Sequence, residues 1–205
     1  MSTSQFITEL INSGYLKTPR LIRAFEKIDR ADFTRQEDRH LAYANFPLPI
    51  GYDQTISQPL TVAFMLELLE PKPDDKILDI GAGSGWQTAL LAQIVGKKGK
   101  VLAIEIIPEL VEFARQNISQ SNLLNKNKIK FFCQNARKGL PEEAPFDKII
   151  VAAEVNEIFK LWKNQLKIGG RLVAPVKNSI CLLIKKGENK FEKKCYFGFT
   201  FVPFV

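Results

Sequence analysis

Short, dense apolar stretches mark the middle of the chain: KILDI (76–80), KVLAIE (100–105), KIKFFCQ (128–134), FDKIIVAA (146–153) and GGRLVAPV (169–176). Their apolar residues run together rather than alternate, which predicts strands buried on both faces. Between them lie stretches of helical period: WQTALLAQIV (86–95), Pro108 to Gln120, and EIFKLWKNQL (157–166). Strands that alternate with helices predict an α/β fold with a mostly parallel sheet. The tail holds two further strand-like pieces, ICLLIKK and CYFGFTFVPF, separated by charged turn residues. Their connection, GENKFEKK, is too short for a crossover helix, so at least one edge of the sheet is expected to be antiparallel.

The first part of the chain has a different rhythm. FITELI is an amphipathic start broken by Gly14, and Thr18-Pro19 reads as a cap followed by proline at the first helical position. The next helix places Leu21, Ile22, Phe25 and Ile28 on one stripe. From Phe33 to Gly51 the pattern is irregular and predicts an ordered coil packed on the domain. A helix is expected over roughly 58–70, with Ser57 and the nearby proline in its first turn. There is no internal repeat or low-complexity block, so one domain is the economical reading.

Composition narrows the function classes. The chain has 205 residues, 45% of them hydrophobic, and a net charge of +7. No apolar run is long enough to span a membrane, and MSTSQFITEL lacks the pattern of a signal peptide. The lysines cluster in KKGK (97–100), NKNKIK (125–130) and the pairs at 185–186 and 193–194. These are turns and strand flanks, which favours a solvated surface over a nucleic-acid face. Cys133, Cys181 and Cys195 are odd in number and lack paired spacing, so neither a disulfide framework nor a zinc site is expected, and a reducing cytoplasm is the natural setting. His40 is the only histidine and lies far along the chain from the glycine loop. Hydrolysis by a histidine triad therefore has little support, and no metal is expected.

The candidate chemistry starts at KILDIGAGSGWQTALL. Gly81, Gly83 and Gly85 follow a strand and precede a helix, where small residues let the backbone approach a ligand. The spacing is GxGxG rather than the dinucleotide fingerprint, and no Lys-Ser or Lys-Thr follows to make a P-loop. The next strand ends in Glu105, whose carboxylate could accept hydrogen bonds from both ribose hydroxyls of a nucleoside. Asp79, just before the loop, either braces it or faces a cationic part of a ligand. Asn135 either bonds the adenine edge or is a turn residue, and Ile106 either lines the adenine or simply packs. A nucleoside without an obligatory pyrophosphate points to S-adenosylmethionine. Methyl transfer from it to a carboxylate needs no histidine, since the acceptor is already ionised near neutral pH. What it needs is alignment, with uncharged donors to hold the acceptor.

GYDQTISQP (51–59), the preceding YANFPLPI, DRADF at 29–33, IGAGSGWQTALLA, IEIIPEL, GLPEEAPFDKIIV, QLKIGGRLVAPV and the terminal FVPF together resemble the blocks of the protein-L-isoaspartate (D-aspartate) O-methyltransferase family, in order, over about residues 16–204. The resemblance implies a class I S-adenosylmethionine-dependent methyltransferase, Rossmann-like, with a seven-stranded mostly parallel sheet. It implies a single domain over 1–205, with 1–57 as an N-terminal helical extension and substrate-side segment. It implies methylation of the free α-carboxylate of L-isoaspartyl residues in damaged proteins or peptides, after which the ester loses methanol to give a succinimide. By the same resemblance Ser57 is the active-site hydroxyl, and Thr55, Ile56 and Gln58 shape its wall. Phe201, Val202 and Pro203 hold the isoaspartyl segment, and Asp79, Gly81, Gly83, Gly85, Glu105, Ile106 and Asn135 serve S-adenosylmethionine, with S-adenosylhomocysteine as product. The expected enzyme is a cytoplasmic monomer with no membrane or nucleic-acid partner. The chain departs from the family pattern at Asp53, Asn135, Glu154 and Thr200; Asp53 adds a negative charge near the acceptor site, and Glu154 either faces the substrate mouth or points away from it. Two other readings are open: a methyltransferase for another acceptor, and a catalytically weak relative that binds protein tails or nucleic acid.

Overall fold

In the computed structural model of the chain, residues 3–120 and 128–205 are described. Part of the lysine-rich turn expected at 125–130 lies outside them. Helices α1 (Thr3–Asn12) and α2 (Pro19–Lys27) come first, then 3-10 turns at Arg30–Phe33 and Gln36–Leu41. On α2, Leu21 and Phe25 are buried and Ile22 packs against the same core. Thr18 takes the N-cap position but makes no capping bond. Its hydroxyl donates instead to Glu67 at 2.7 Å, so the expected cap becomes a tie to the next helix.

The expected coil before that helix contains a hairpin, β1 (Leu48–Gly51) with β2 (Gln54–Ile56). Tyr52 and Asp53 form its tip, both at φ 55. A tight hairpin needs left-handed backbone at both central residues, and aspartate tolerates it. Helix α3 (Pro59–Leu69) follows, and its N-cap residue is Gln58 rather than Ser57.

The main sheet holds β3 (Lys76–Ile80), β4 (Lys100–Glu105), β5 (Ile129–Cys133), β6 (Phe146–Val151), β7 (Leu166–Val176), β8 (Ser179–Lys185) and β9 (Phe191–Phe197). Their order is β5-β4-β3-β6-β7-β8-β9. Pairing is parallel from β5 through β7, and antiparallel from β7 to β8 and from β8 to β9. Helices α4 (Trp86–Val95), α5 (Pro108–Gln120) and α6 (Lys160–Asn164) lie between strands. Successive strand residues face opposite layers. Ile77 and Ile150 join the core beneath α1 to α4, while Leu78 and Ile149 join the second core around Trp162. The chain leaves β3 toward one edge and returns through β6 toward the other. That makes the carboxyl ends of β3 and β6 the switch point where such sheets bind ligands.

Four expectations need correction. The helix over EIFKLWKNQL shrinks to five residues, since its first part follows Val155, which bridges to Val176. The last strand ends at Phe197 rather than in FVPF, because its partner β8 begins at Ser179, opposite Phe197. The remaining tail turns back across the sheet: Glu154 N–H donates to Val202 O at 2.8 Å, and Phe204 N–H to Glu154 O at 2.9 Å. The cysteines also pair. Cys181 and Cys195 stand opposite each other on β8 and β9 and form a disulfide, while Cys133 is free and exposed. Spacing along the chain hid this pair, because register across two strands makes it. Of the lysines read as surface, Lys185 is buried, its ammonium donating to Leu166 O at 2.7 Å. No helix among the described residues is long and apolar enough to cross a membrane.

Candidate active site

Two adjoining cavities open at the carboxyl ends of β3 and β6. The first, about 840 Å³, is lined by Gly81 to Ser84, Glu105 to Ile107, Gln134, Ala136, Ala153, the hairpin residues Gln54 to Ser57, and the tail from Val202 to Val205. The second, about 1090 Å³, is lined by Pro47, Gln58, Thr61 and the tail from Gly198 to Val202. Thr55, Ser57, Ala152 and Val202 belong to both.

The floor of the first cavity is built from β3, its glycine turn and α4. Gly81, Gly83 and Gly85 all have positive φ, at 80°, 52° and 87°. At Gly85 a side chain would also strike α5, since an added Cβ would lie 3.1 Å from the Ala114 Cβ. Gly85 is therefore a packing glycine, while Gly81 and Gly83 face the cavity. Glu105 anchors the turn. One carboxylate oxygen accepts from Gly83 N–H at 2.9 Å, and the other from Ile106 and Ile107 N–H at 2.8 and 3.1 Å. The oxygen that accepts from Gly83 uses one of its two lone-pair sites, so Glu105 can hold the loop and still accept from a ligand hydroxyl.

Of the two roles open for Asp79, the geometry carries the brace. It is fully buried and lines neither cavity. It accepts from Gln87 at 2.7 Å and Thr88 at 2.6 Å on α4, tying strand to helix. Burial pushes its carboxyl up to about 6, against the opposing effect of these two bonds. Asn135 is likewise turned elsewhere. Its oxygen accepts from Arg137 N–H at 2.9 Å and its amide donates to Val205 O at 3.3 Å, so it is a turn cap that holds the tail, and Gln134 and Ala136 line the cavity around it. Ile106 is on the cavity wall.

Thr55, Ile56 and Ser57 come off β2 into the first cavity, and Gln58 faces the second. The Ser57 hydroxyl makes no hydrogen bond among the described residues, which leaves it free for a ligand. Phe201 lines the second cavity, Pro203 the first, and Val202 both. The expected charge of Asp53 is turned away, and so is Glu154, whose direction the sequence left open. Asp53 sits exposed at the hairpin tip, and the Glu154 carboxylate accepts from Asn178 N–H at 3.2 Å; neither lines a cavity. Thr200 does line the second cavity. His40 is exposed and lines neither. Among the described residues no cluster of His, Cys, Asp and Glu could hold a metal.

Sequence reasoning passed over Arg30. It is 1% exposed, and its guanidinium donates to the carbonyls of Ala42, Phe46 and Ser57 at 2.7, 3.1 and 3.1 Å. It lies 5.3 Å from the ring centre of Trp86, which lines the first cavity. Its only sequence signal is the block DRADF, which says nothing of carbonyl partners so far along the chain.

A parallel sheet with a GxGxG turn after its first strand, an acid ending the next, and a cavity over both defines a class I S-adenosylmethionine-dependent methyltransferase. The model of the protein-L-isoaspartate (D-aspartate) O-methyltransferase family matches residues 1–205, and the chain belongs to that family. It is 37% identical to the protein-L-isoaspartate O-methyltransferase of Methanopyrus kandleri, over 98% of this chain and 90% of that one. The enzyme of the same name from Pyrobaculum islandicum is 40% identical, over 97% of each chain. In fold it matches a Plasmodium falciparum chain assigned to the same enzyme and solved with S-adenosyl-L-homocysteine. The TM-score is 0.90 at 24% identity, covering 100% of this chain and 99% of that one.

Proposed function

We propose that the two cavities hold the two substrates of one methyl transfer: S-adenosylmethionine against the glycine loop, and the free α-carboxylate of an L-isoaspartyl residue of a damaged protein in the second cavity. The observation that carries this reading is the shared wall. Ser57, with an unengaged hydroxyl, belongs to both cavities, as do Thr55, Ala152 and Val202.

The residues present fit the cofactor. The first cavity is a concave site lined by the glycine loop, the end of β4 and the tail. Gly81 and Gly83 let a ligand approach the backbone, and Glu105, the one charged residue in the lining, suits ribose hydroxyls. Ile106 supplies an apolar wall. When bound, S-adenosylmethionine supplies a methyl group already activated by its sulfonium. The acceptor carboxylate is ionised at neutral pH, so no residue has to remove a proton. Ser57 donates to one carboxylate oxygen and leaves the other free to attack. Thr55, Ile56 and Gln58 set the wall on one side. Phe201, Val202 and Pro203 close the other and keep water out. No lysine or arginine lines the second cavity, so no direct ion pair holds back the nucleophile.

The proposal includes a monomer in the cytoplasm. Residues of one chain line both cavities. Strands β8 and β9 pair from Ser179↔Phe197 to Lys185↔Phe191, so the disulfide is not the sole link between them.

The test is incubation with labelled S-adenosylmethionine and matched isoaspartyl and aspartyl peptides. Base-labile label on the isoaspartyl peptide alone is expected. Cofactor binding with no transfer to that peptide would point to another acceptor, and an absence of cofactor binding would overturn the reading.

A further inference from the structure

Among the described residues, Arg30 is a buried cation without an acid beside it. Of the nearest acids in sequence, Asp29 accepts from Ala31 N–H and the Tyr43 hydroxyl, and Asp32 pairs with Arg39. Its hydrogen-bond partners among the described residues are all carbonyls: Ala42, Ala44 and Phe46 on one side, Ile56 and Ser57 on the other. Its Nε has no partner. Burial alone lowers its pKa, to about 10, so it is still charged at neutral pH. A lone buried charge is costly. Here the Trp86 ring and the carbonyl dipoles offset part of that cost, and no negative group neutralises the charge.

The second cavity shows the complementary shortage. It is to receive an anion, yet no charged side chain lines it. Arg30 stands directly behind its wall, 3.1 Å from Ser57 O, and is shut off from the cavity itself. A cation at that place attracts a carboxylate at Ser57 but cannot form an ion pair with it. The nucleophilic oxygen stays free while the anion is favoured over a neutral group.

We propose that Arg30 is the positioning residue of the acceptor site: it locks the Ile56–Ser57 backbone and, from behind it, lends the positive charge that draws the acceptor carboxylate to the Ser57 hydroxyl. The inference rests on the two-substrate reading above. It assigns selectivity for an anionic acceptor to a residue that touches neither substrate.

The test is a titration. An isoaspartyl peptide labelled with carbon-13 at its α-carboxyl is bound to the protein with S-adenosylhomocysteine and followed by NMR. In the wild type the bound carboxyl is expected to titrate at lower pH than in the free peptide. Arg30→Gln, which keeps two N–H donors for the carbonyls, is expected to raise that titration and weaken the peptide about tenfold, with cofactor affinity held within about twofold. Arg30→Lys keeps the charge and is expected to keep the lowered titration, while turnover falls about tenfold because an ammonium cannot span both sets of carbonyls. A wild-type carboxyl that titrates at or above its free value overturns the inference, as does an Arg30→Gln titration equal to wild type. If Arg30→Gln does not fold, the wild-type titration and Arg30→Lys decide, and a Lys variant whose carboxyl returns to the free value also overturns it. A wild type that binds isoaspartyl and aspartyl peptides alike sinks the functional reading as well; a wild type that prefers isoaspartyl with an unshifted carboxyl sinks this inference alone.

Discussion

Ser57 owes its importance to what its hydroxyl does not do. It neither caps α3 nor bonds to another described residue, and it stands in a wall common to both cavities. A hydrogen bond to a charged group is worth about 1.5–3 kcal/mol, so Ser57→Ala is expected to lower kcat/KM about 10- to 100-fold. Cofactor affinity, measured by calorimetry, should change less than about twofold, since the glycine loop and Glu105 remain; equal losses in both would remove Ser57 from the acceptor side. At this scale the sequence was readable in kind more than in direction. It singled out Glu105, Gly81, Gly83 and the TIS segment, which the fold brings to the lining of one cavity. It left open where Asn135 and Glu154 point and placed the Asp53 charge nearer the acceptor than the structure does. Each of those side chains found a backbone partner or an exposed turn, and such choices depend on atoms distant in the chain.

Between residue and fold stands the unit of β3, its glycine turn and α4. Every boundary of this unit follows from local pattern: a short apolar strand, three glycines, then an apolar helix. What the pattern left open was Asp79, and burial decided it. The folded protein holds the Asp79 proton up to about pH 6, whereas the unfolded chain releases it near 3.8. Between those values the folded state binds more protons, so this group's contribution to stability falls as pH rises through that window. Asp79→Asn removes the titration. Relative to wild type, the variant is expected to gain up to about 3 kcal/mol between pH 4 and pH 7 and then level off, whatever fixed offset its altered bonds to Gln87 and Thr88 impose. Urea unfolding at a series of pH values checks this, and a difference independent of pH would contradict the buried, protonated carboxyl.

Across the whole molecule, the antiparallel edge does two jobs. Strand β9 ends where its partner ends, which releases residues 198–205 to cross the sheet and complete both cavities. The tail is then held by Glu154, by Asn135 and by Phe204, which packs on Phe159 and Trp162. The Cys181–Cys195 bond clamps the same edge across a sequence separation of 14. Closing a loop of that size contributes about 3 kcal/mol in the chain-entropy account. Cys195→Ser is expected to lose about that much stability without reductant and to match wild type with it, as read from urea midpoints. Unchanged midpoints without reductant would mean that the strand pairing already supplies the restraint.

Local sequence was enough for the alternation of strands and helices, the parallel class of the sheet, the glycine turn and the acid that ends the next strand. These depend on periodicity, propensity and backbone freedom, which are properties of neighbouring residues. The hairpin at 48–56, the end of the last strand, the Cys181–Cys195 pair and the burial of Arg30 behind Ser57 arise from contacts between segments far apart in the chain. Register decided the first three. For Arg30 it was the meeting of carbonyls from residues 42–46 and 56–57 around a single guanidinium, which no local pattern encodes.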